Sequence, residues 1–274
     1  MSIEVKFWGV RGSIACPSPD HVVYGGNTSC LEMRVAGKVL IFDAGTGIRN
    51  LGKDLIRRKV TEATIFLTHT HWDHINGFPF FVPAYNPKAA FHVMAGHLTD
   101  QGGVERVFSA QMANPTFPVP LSAMQSKLTF EDFTVGDDLH PGEGIVIRTA
   151  PLRHPNGATA FRVEHGGQAV CYVTDTEHEP GKPDEIILDF IRDADLVIYD
   201  STYTDEEFPQ KIGWGHSTWQ EGIRLCRVAN AKRLALFHHD PDHNDTAMSA
   251  IEQQAKSTWS GAFAARDEMV VVIE

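Results

Sequence analysis

Three histidines and an aspartate fall within six residues of this chain, in Thr68-His69-Thr70-His71-Trp72-Asp73-His74. Imidazole is the commonest side-chain metal ligand, and zinc or a similar ion accepts mixed nitrogen and oxygen donors. Packing does not explain such a run, because buried imidazoles and carboxylates need partners. The apolar residues 63–67 just before it read as a buried strand. The expectation is a metal site at the end of that strand.

Four more residues of metal-binding type share this placement. His154 follows the apolar run 145–150, Asp175 follows 170–173, Asp200 follows 196–199 and His238 follows 234–237. One polar residue after a strand is unremarkable, since turns favour Asp and Asn. Four of them, added to the dense cluster, predict strand ends converging on one cleft, where rigid elements hold polar groups in place. His239 is the alternative to His238, and the strand-end position favours His238. His178 reads as an ordinary loop residue. His21, His92, His97, His140 and His165 have no metal spacing and default to core or surface roles.

The elements that must position these residues follow from hydrophobic periodicity and turn chemistry. An opening strand over 4–10 leads into a Gly-, Pro- and Ser-bearing loop, then a hairpin over 30–35 and 38–42 about Ala36-Gly37, a helix over 48–59 and the strand over 63–67. Beyond the cluster the pattern predicts a helix over 75–82 ended by Pro83, a strand over 90–95 and a helix over 103–111. Residues 112–125, with Pro115, Pro118 and Pro120, fit no regular element; their apolar part, 112–121, reads as a lid, a simple connector or a homodimer interface. Strands are expected over 128–133, 144–150, 160–165 and 169–173, the last two joined by Gly166-Gly167. Helices over 184–192, 218–229 and 245–256 then alternate with strands over 196–199 and 233–237, and a strand over 269–273 closes the chain. No linker or composition shift interrupts this order, so residues 1–274 read as one domain. The expected class is α/β, a four-layer α/β/β/α sandwich with mixed sheets and helices outside.

Composition narrows the setting. With 42% hydrophobic and 22% charged residues the chain is an ordinary globular protein. No apolar run approaches the ~18 residues of a membrane span, and the N-terminal residues lack the basic and apolar regions of a secretory signal. The four cysteines are scattered without a Cys-x-x-Cys pair, which suits reduced thiols and a cytoplasmic address with no membrane partner. A net charge of −11 argues against gripping a long nucleic acid, whose phosphates are met by basic patches. A small phosphate ester is compatible with it.

At this point the residues resemble a known family. His69-x-His71-x-Asp73-His74, with Asp43 before it and His154, Asp175 and His238 after it in the right order, resembles the motif set of the metallo-β-lactamase fold superfamily across nearly the whole chain. The resemblance implies two divalent metal ions, zinc first and manganese or iron as alternatives. It assigns His69, His71 and His154 to one ion, Asp73, His74 and His238 to the other, and Asp175 as the bridge. Asp43 would orient the ligand loop from behind. The C-terminal half resembles the phosphodiesterase branch, through Asp200 in Tyr199-Asp200-Ser201-Thr202-Tyr203 and His216 in Gly215-His216-Ser217-Thr218. There an acidic residue, commonly Glu, pairs with a histidine that protonates the leaving oxygen. Asp73, Asp200 and His216 are therefore the candidates for the chemistry itself.

The tRNA-processing members of that branch carry a long arm between their third and fourth motifs. Here only twenty positions separate His154 from Asp175. The opening motifs, Arg11 in Trp8-Gly9-Val10-Arg11-Gly12-Ser13 and Asn27 in Gly25-Gly26-Asn27-Thr28, resemble small members associated with cyclic-nucleotide hydrolysis. Arg11, a bidentate donor, and Asn27 are the substrate-binding candidates. The expected activity is cleavage of a small phosphodiester, cyclic nucleotides included, by a metal-bridged hydroxide. The alternatives are a carboxylic-ester, lactone or thioester hydrolase at the same centre, a di-iron redox protein, and a metal-binding sensor without turnover.

Overall fold

In the computed structural model, which describes residues 2–99 and 101–274, two seven-stranded sheets face one another. The first half supplies β1 (Ile3–Gly9), β2 (Cys30–Val35), β3 (Lys38–Phe42), α1 (Ile48–Arg58), β4 (Glu62–Leu67), α2 (Trp72–Ile75), β5 (Ala90–Ala95), α3 (Val104–Gln111) and β6 (Lys127–Asp132). The second supplies β7 (Asp138–Gly142), β8 (Ile145–Leu152), β9 (Ala158–His165), β10 (Gln168–Val173), α4 (Glu185–Phe190), β11 (Leu196–Asp200), α5 (Trp219–Val228), β12 (Leu234–Phe237), α6 (Asp245–Thr258) and β13 (Ala262–Ala264), before β14 (Val270–Ile273) returns to the first sheet. The strand orders are β14-β1-β2-β3-β4-β5-β6 and β13-β12-β11-β10-β9-β8-β7.

Burial explains why the central strands are apolar throughout rather than alternating. In β10, Val170 and Tyr172 face the opposite sheet while Cys171 and Val173 face the helices. Phe237 and Leu236 divide the same way in β12. Successive residues of a strand point to opposite faces, so a strand covered on both sides needs apolar residues at every position. Between the sheets Phe161 packs against Phe42 and Phe66, with ring centroids 5.4 and 5.8 Å away. Ile48, Leu51 and Leu55 of α1, with Val104 and Phe108 of α3, cover the first sheet. Residues of α4, α5 and α6 cover the second. These are the four layers expected from the sequence.

Strand direction decides where the site lies. β10, β11 and β12 run parallel, and β8 shares their direction because β9 is antiparallel to both β8 and β10. In the first sheet β3 and β4 are parallel. Each of these strands therefore delivers its following residues to one edge of its sheet.

Two elements differ from expectation. Residues 75–82 do not form a helix: α2 stops at Ile75, and short 3₁₀ turns follow at Phe78–Phe80 and Val82–Tyr85. Pro79 and Pro83 cannot sit in a continuing helix, and at Gly77 a Cβ would lie 2.0 Å from the Gly45 carbonyl oxygen. The strands β7 and β13 were not expected at all. Both lie at sheet edges, where strands are short or polar and carry little periodic signal. The segment 112–125 packs rather than dangles: Met112 and Met124 are buried, and Phe117 meets Phe80 edge-on at 5.8 Å. No helix among the described residues is long and apolar enough to cross a membrane.

Candidate metal centre

The strand ends meet. Within one group, His69 Nε2 and His154 Nε2 each lie 3.0 Å from His71 Nδ1. In a second group, His74 Nε2 is 3.3 Å from His238 Nε2, 3.3 Å from Asp73 and 3.2 Å from Asp175, while His238 Nε2 lies 3.2 Å from Asp73. Asp175 stands between the groups. Its Oδ2 is 3.6 Å from both His69 and His154, and its Oδ1 is 3.2 and 3.3 Å from His74 and His238.

The outward ring nitrogens determine what the inward ones offer. His154 donates from Nδ1 to the Gly215 carbonyl at 2.7 Å, and His74 donates from Nδ1 to Asp43 at 2.9 Å. His238 Nδ1 is 3.1 Å from the Thr202 hydroxyl, and His69 Nδ1 is 3.1 Å from the Thr68 hydroxyl. With the outer nitrogens so engaged, His69, His74, His154 and His238 turn Nε2 into the cluster, and His71 turns Nδ1. Lone pairs gathered at about 3 Å repel unless a cation sits among them. The donor set, imidazole nitrogens and carboxylate oxygens without thiolate, therefore fits divalent metal ions.

Electrostatics agree with that division. Burial pushes the His69, His71 and His154 pKa values below the usual imidazole range, so the first group is neutral and available as donors. In the second, burial disfavours the Asp73 and Asp175 anions, but His74 and His238 outweigh it and hold both carboxyls well below their usual range. Burial would lower the His74 pKa, but Asp175, Asp73 and Asp43 outweigh it and hold the ring well above the usual imidazole range; a bound cation would take the place of that proton.

Backbone strain marks the same residues. Asp43, Asp175 and His238 adopt φ of 62°, 61° and 60°, a left-handed conformation that non-glycine residues seldom hold. Each lies one or two residues beyond its strand. Such strain persists where the surroundings over-determine it, and it clusters at functional sites. Glycine clears space nearby: a Cβ on Gly12 would stand 2.4 Å from the His238 ring.

Asp43 is fully buried and accepts from the Thr68 amide at 2.8 Å, the Thr68 hydroxyl at 3.0 Å and the Tyr172 hydroxyl at 2.8 Å, besides His74. Beside the second group, Asp200 accepts from His216 Nδ1 at 3.0 Å. The shorter aspartate arm thus reaches the histidine. Burial lowers the His216 pKa, but the Asp200 charge and hydrogen bond dominate and raise it to about 9. Asp200 also accepts from the Thr176, Thr202 and Ser217 amides, which hold it still. A cleft of about 450 Å³ opens above, lined by Ser13, Thr70, His71, Trp72, Asp73, Asp175 and His216.

A family model described as a β-lactamase superfamily domain matches residues 38–239, spanning every residue of both groups. The chain belongs to the metallo-β-lactamase superfamily. It is a metal-dependent hydrolase of that superfamily. Among characterised relatives, ribonuclease Z of Lactobacillus acidophilus is 25% identical, with 84% of this chain and 86% of the relative covered. Among solved structures, the metallo-β-lactamase fold protein YhfI of Bacillus subtilis aligns over 99% of both chains with a TM-score of 0.73 and 18% identity. A diphosphatase from the PhnP family aligns over 100% of this chain and 98% of its own, with a TM-score of 0.71 and 18% identity.

Two expected substrate residues of this metallo-β-lactamase superfamily chain do not face the cleft. Arg11 is fully buried and spends its guanidinium on the carbonyls of Gly25, Asp240 and His243, at 2.8, 3.0 and 2.7 Å. Asn27 is likewise engaged, donating to Asp267 at 2.9 Å and accepting from Thr46 at 3.2 Å. It is their neighbour Ser13 that reaches the site, its amide donating to Asp73 Oδ2 at 2.8 Å. Arg11 clamps the loop that follows His238, so Arg11→Met is expected to cost about 3 kcal/mol or more, from several carbonyls left unsatisfied. A thermal melt checks this; an unchanged Tm would refute the clamp.

His239 turns away, within 2.9 Å of the Ala265 carbonyl, leaving His238 in the cluster. Sequence reading missed the groups that brace the rings: Thr68, Tyr172, Thr202 and the Gly215 carbonyl. The first three carry no spacing signal, and the last is a backbone atom with no residue-type signal at all.

Proposed function

We propose that this hydrolase is a dinuclear phosphodiesterase acting on a small phosphodiester, cyclic nucleotides included. The observation that carries the reading is Asp175, whose two carboxylate oxygens face different groups of histidines. His69, His71 and His154 would hold one divalent ion and Asp73, His74 and His238 the second, with Asp175 shared; we propose zinc as the native metal. Bound there, the pair would supply Lewis acidity toward the phosphoryl oxygens and a water of lowered pKa.

The protein's own groups do the rest. Asp43 keeps the proton of His74 on Nδ1, so Nε2 stays a donor. Ser13 and Thr202 restrain Asp73 and His238. Protonated His216, held by Asp200, hands its proton to the departing oxygen. This last pairing suits an alkoxide leaving group, which needs protonation. The ribonuclease Z name of the relatives supports phosphodiester chemistry. The short β9–β10 hairpin between His154 and Asp175, together with the acidic net charge, supports a small substrate over tRNA.

The test is metal analysis of the purified protein with a panel of aryl phosphodiesters, cyclic nucleotides and an aryl carboxylic ester. We expect close to two ions per chain and turnover of phosphodiesters; hydrolysis of the carboxylic ester alone would sink the proposal. Asp43→Asn, which removes the anchor of His74, is expected to weaken metal affinity by about 10–100-fold. Competition against a chelator measures this, and unaltered affinity would deny Asp43 that role.

A further inference from the structure

Trp72 stands between two residues of the centre, His71 and Asp73, and is the most exposed large apolar side chain among the described residues, at 83%. The other tryptophans are occupied. Trp8 donates to Glu32 at 3.1 Å beneath the Lys6 ammonium, Trp219 and Trp259 belong to the core, and Trp214 carries Lys211 over its ring at 4.4 Å. The Trp72 indole has no ring, cation or hydrogen-bond partner among the described residues.

Its backbone, in contrast, is pinned. The His71 carbonyl accepts from the His74 amide at 3.0 Å, the Trp72 carbonyl accepts from Asn76 at 2.7 Å, and Asp73 is held by Ser13. An indole carried on a pinned backbone and exposed where it lines the cleft offers a flat apolar face beside the centre. Aromatic faces of this kind bind planar rings by stacking, with little dependence on which ring is offered. His216, which serves the departing oxygen, and Trp72 both line this cleft, one from each half of the chain, so a diester seated at the centre can present its departing arm to His216 and its retained arm to Trp72.

Given the phosphodiesterase reading, on which this rests, we infer that Trp72 stacks on a planar ring carried by the arm of the diester that stays on phosphorus. The substrate class is then a phosphodiester with an aromatic or heteroaromatic arm, a nucleoside ester being the biological form. Trp72 is a specificity residue and takes no part in proton transfer.

The test compares three p-nitrophenyl diesters with methyl, phenyl or 5′-thymidyl retained arms, using metal-loaded wild type, Trp72→Ala and Trp72→Phe. In Trp72→Ala the ratio of kcat/KM for a ring-bearing diester over the methyl diester should fall about tenfold, through KM, while Trp72→Phe keeps most of it. Loss for the thymidyl arm alone identifies a nucleobase site; equal loss for phenyl identifies a general aryl site. An unchanged ratio in Trp72→Ala overturns the proposal. Should wild type cleave none of the three, the phosphodiesterase reading fails, and stacking is judged by thymidine 5′-monophosphate binding followed by indole fluorescence. Quenching in wild type that Trp72→Phe loses upholds the platform; equal quenching in both, or none, overturns it.

Discussion

His216→Ala is expected to lower kcat by about 10²–10⁴-fold on a diester with an alkyl or nucleoside leaving group, and to spare one that releases p-nitrophenolate. The asymmetry follows from the role: p-nitrophenolate departs without a proton, whereas an alkoxide needs one. Asp200 keeps His216 protonated, with a pKa of about 9. The acid form is thus present below pH 9 and is lost as pH rises through that value, so kcat on the alkyl leaving group should hold to about pH 9 and then fall. In Asp200→Asn the counter-charge disappears while burial remains, and burial disfavours the imidazolium. The alkaline limb should move to lower pH by about one unit or more. Equal losses on both leaving groups in His216→Ala would mean that the ring positions rather than protonates.

Replacing Asp175 with Ala should do more damage to the centre than any change outside it. The carboxylate is buried and lies within 3.6 Å of four imidazoles. Even residues that only orient ligands cost about 10–100-fold in metal affinity or activity when changed, so a group shared by both ions is expected to exceed that. Bound metal should drop to one ion or none per chain, and phosphodiester turnover should fall at least 100-fold by the same comparison. The metal-free protein should also lose about 3–5 kcal/mol of stability, because the imidazoles lose a buried counter-charge. Metal content and a denaturant titration measure the two effects; a variant retaining two ions would show that Asp175 is not the bridge.

The legible part of the site was the part that strand ends dictate. His154, Asp175, Asp200 and His238 each follow an apolar run, and that position survives whatever the rest of the chain does. All of them meet because β8, β10, β11 and β12 share one direction. Arg11 misled for the opposite reason. An arginine in a glycine-bearing loop looks available for phosphate, yet its partners, the Asp240 and His243 carbonyls, lie 229 and 232 residues away in sequence. No local pattern reports that the two loops touch. The expected helix over 75–82 failed on a local signal as well as on packing: Pro79 falls inside it, and Gly77 closely approaches Gly45.

By itself, then, the sequence determined the residues of metal-binding type, their strand-end placement and the four-layer architecture, all carried by short-range pattern; the pairing of Asp200 with His216 was an expectation of the family resemblance. Only the tertiary structure decided which nitrogen of each ring faces inward, that Asp175 divides its oxygens between two groups, and that Trp72 is left bare beside them. Those are consequences of two sheets meeting across a core, where the partners of His74, His154 and His238 come from distant parts of the chain.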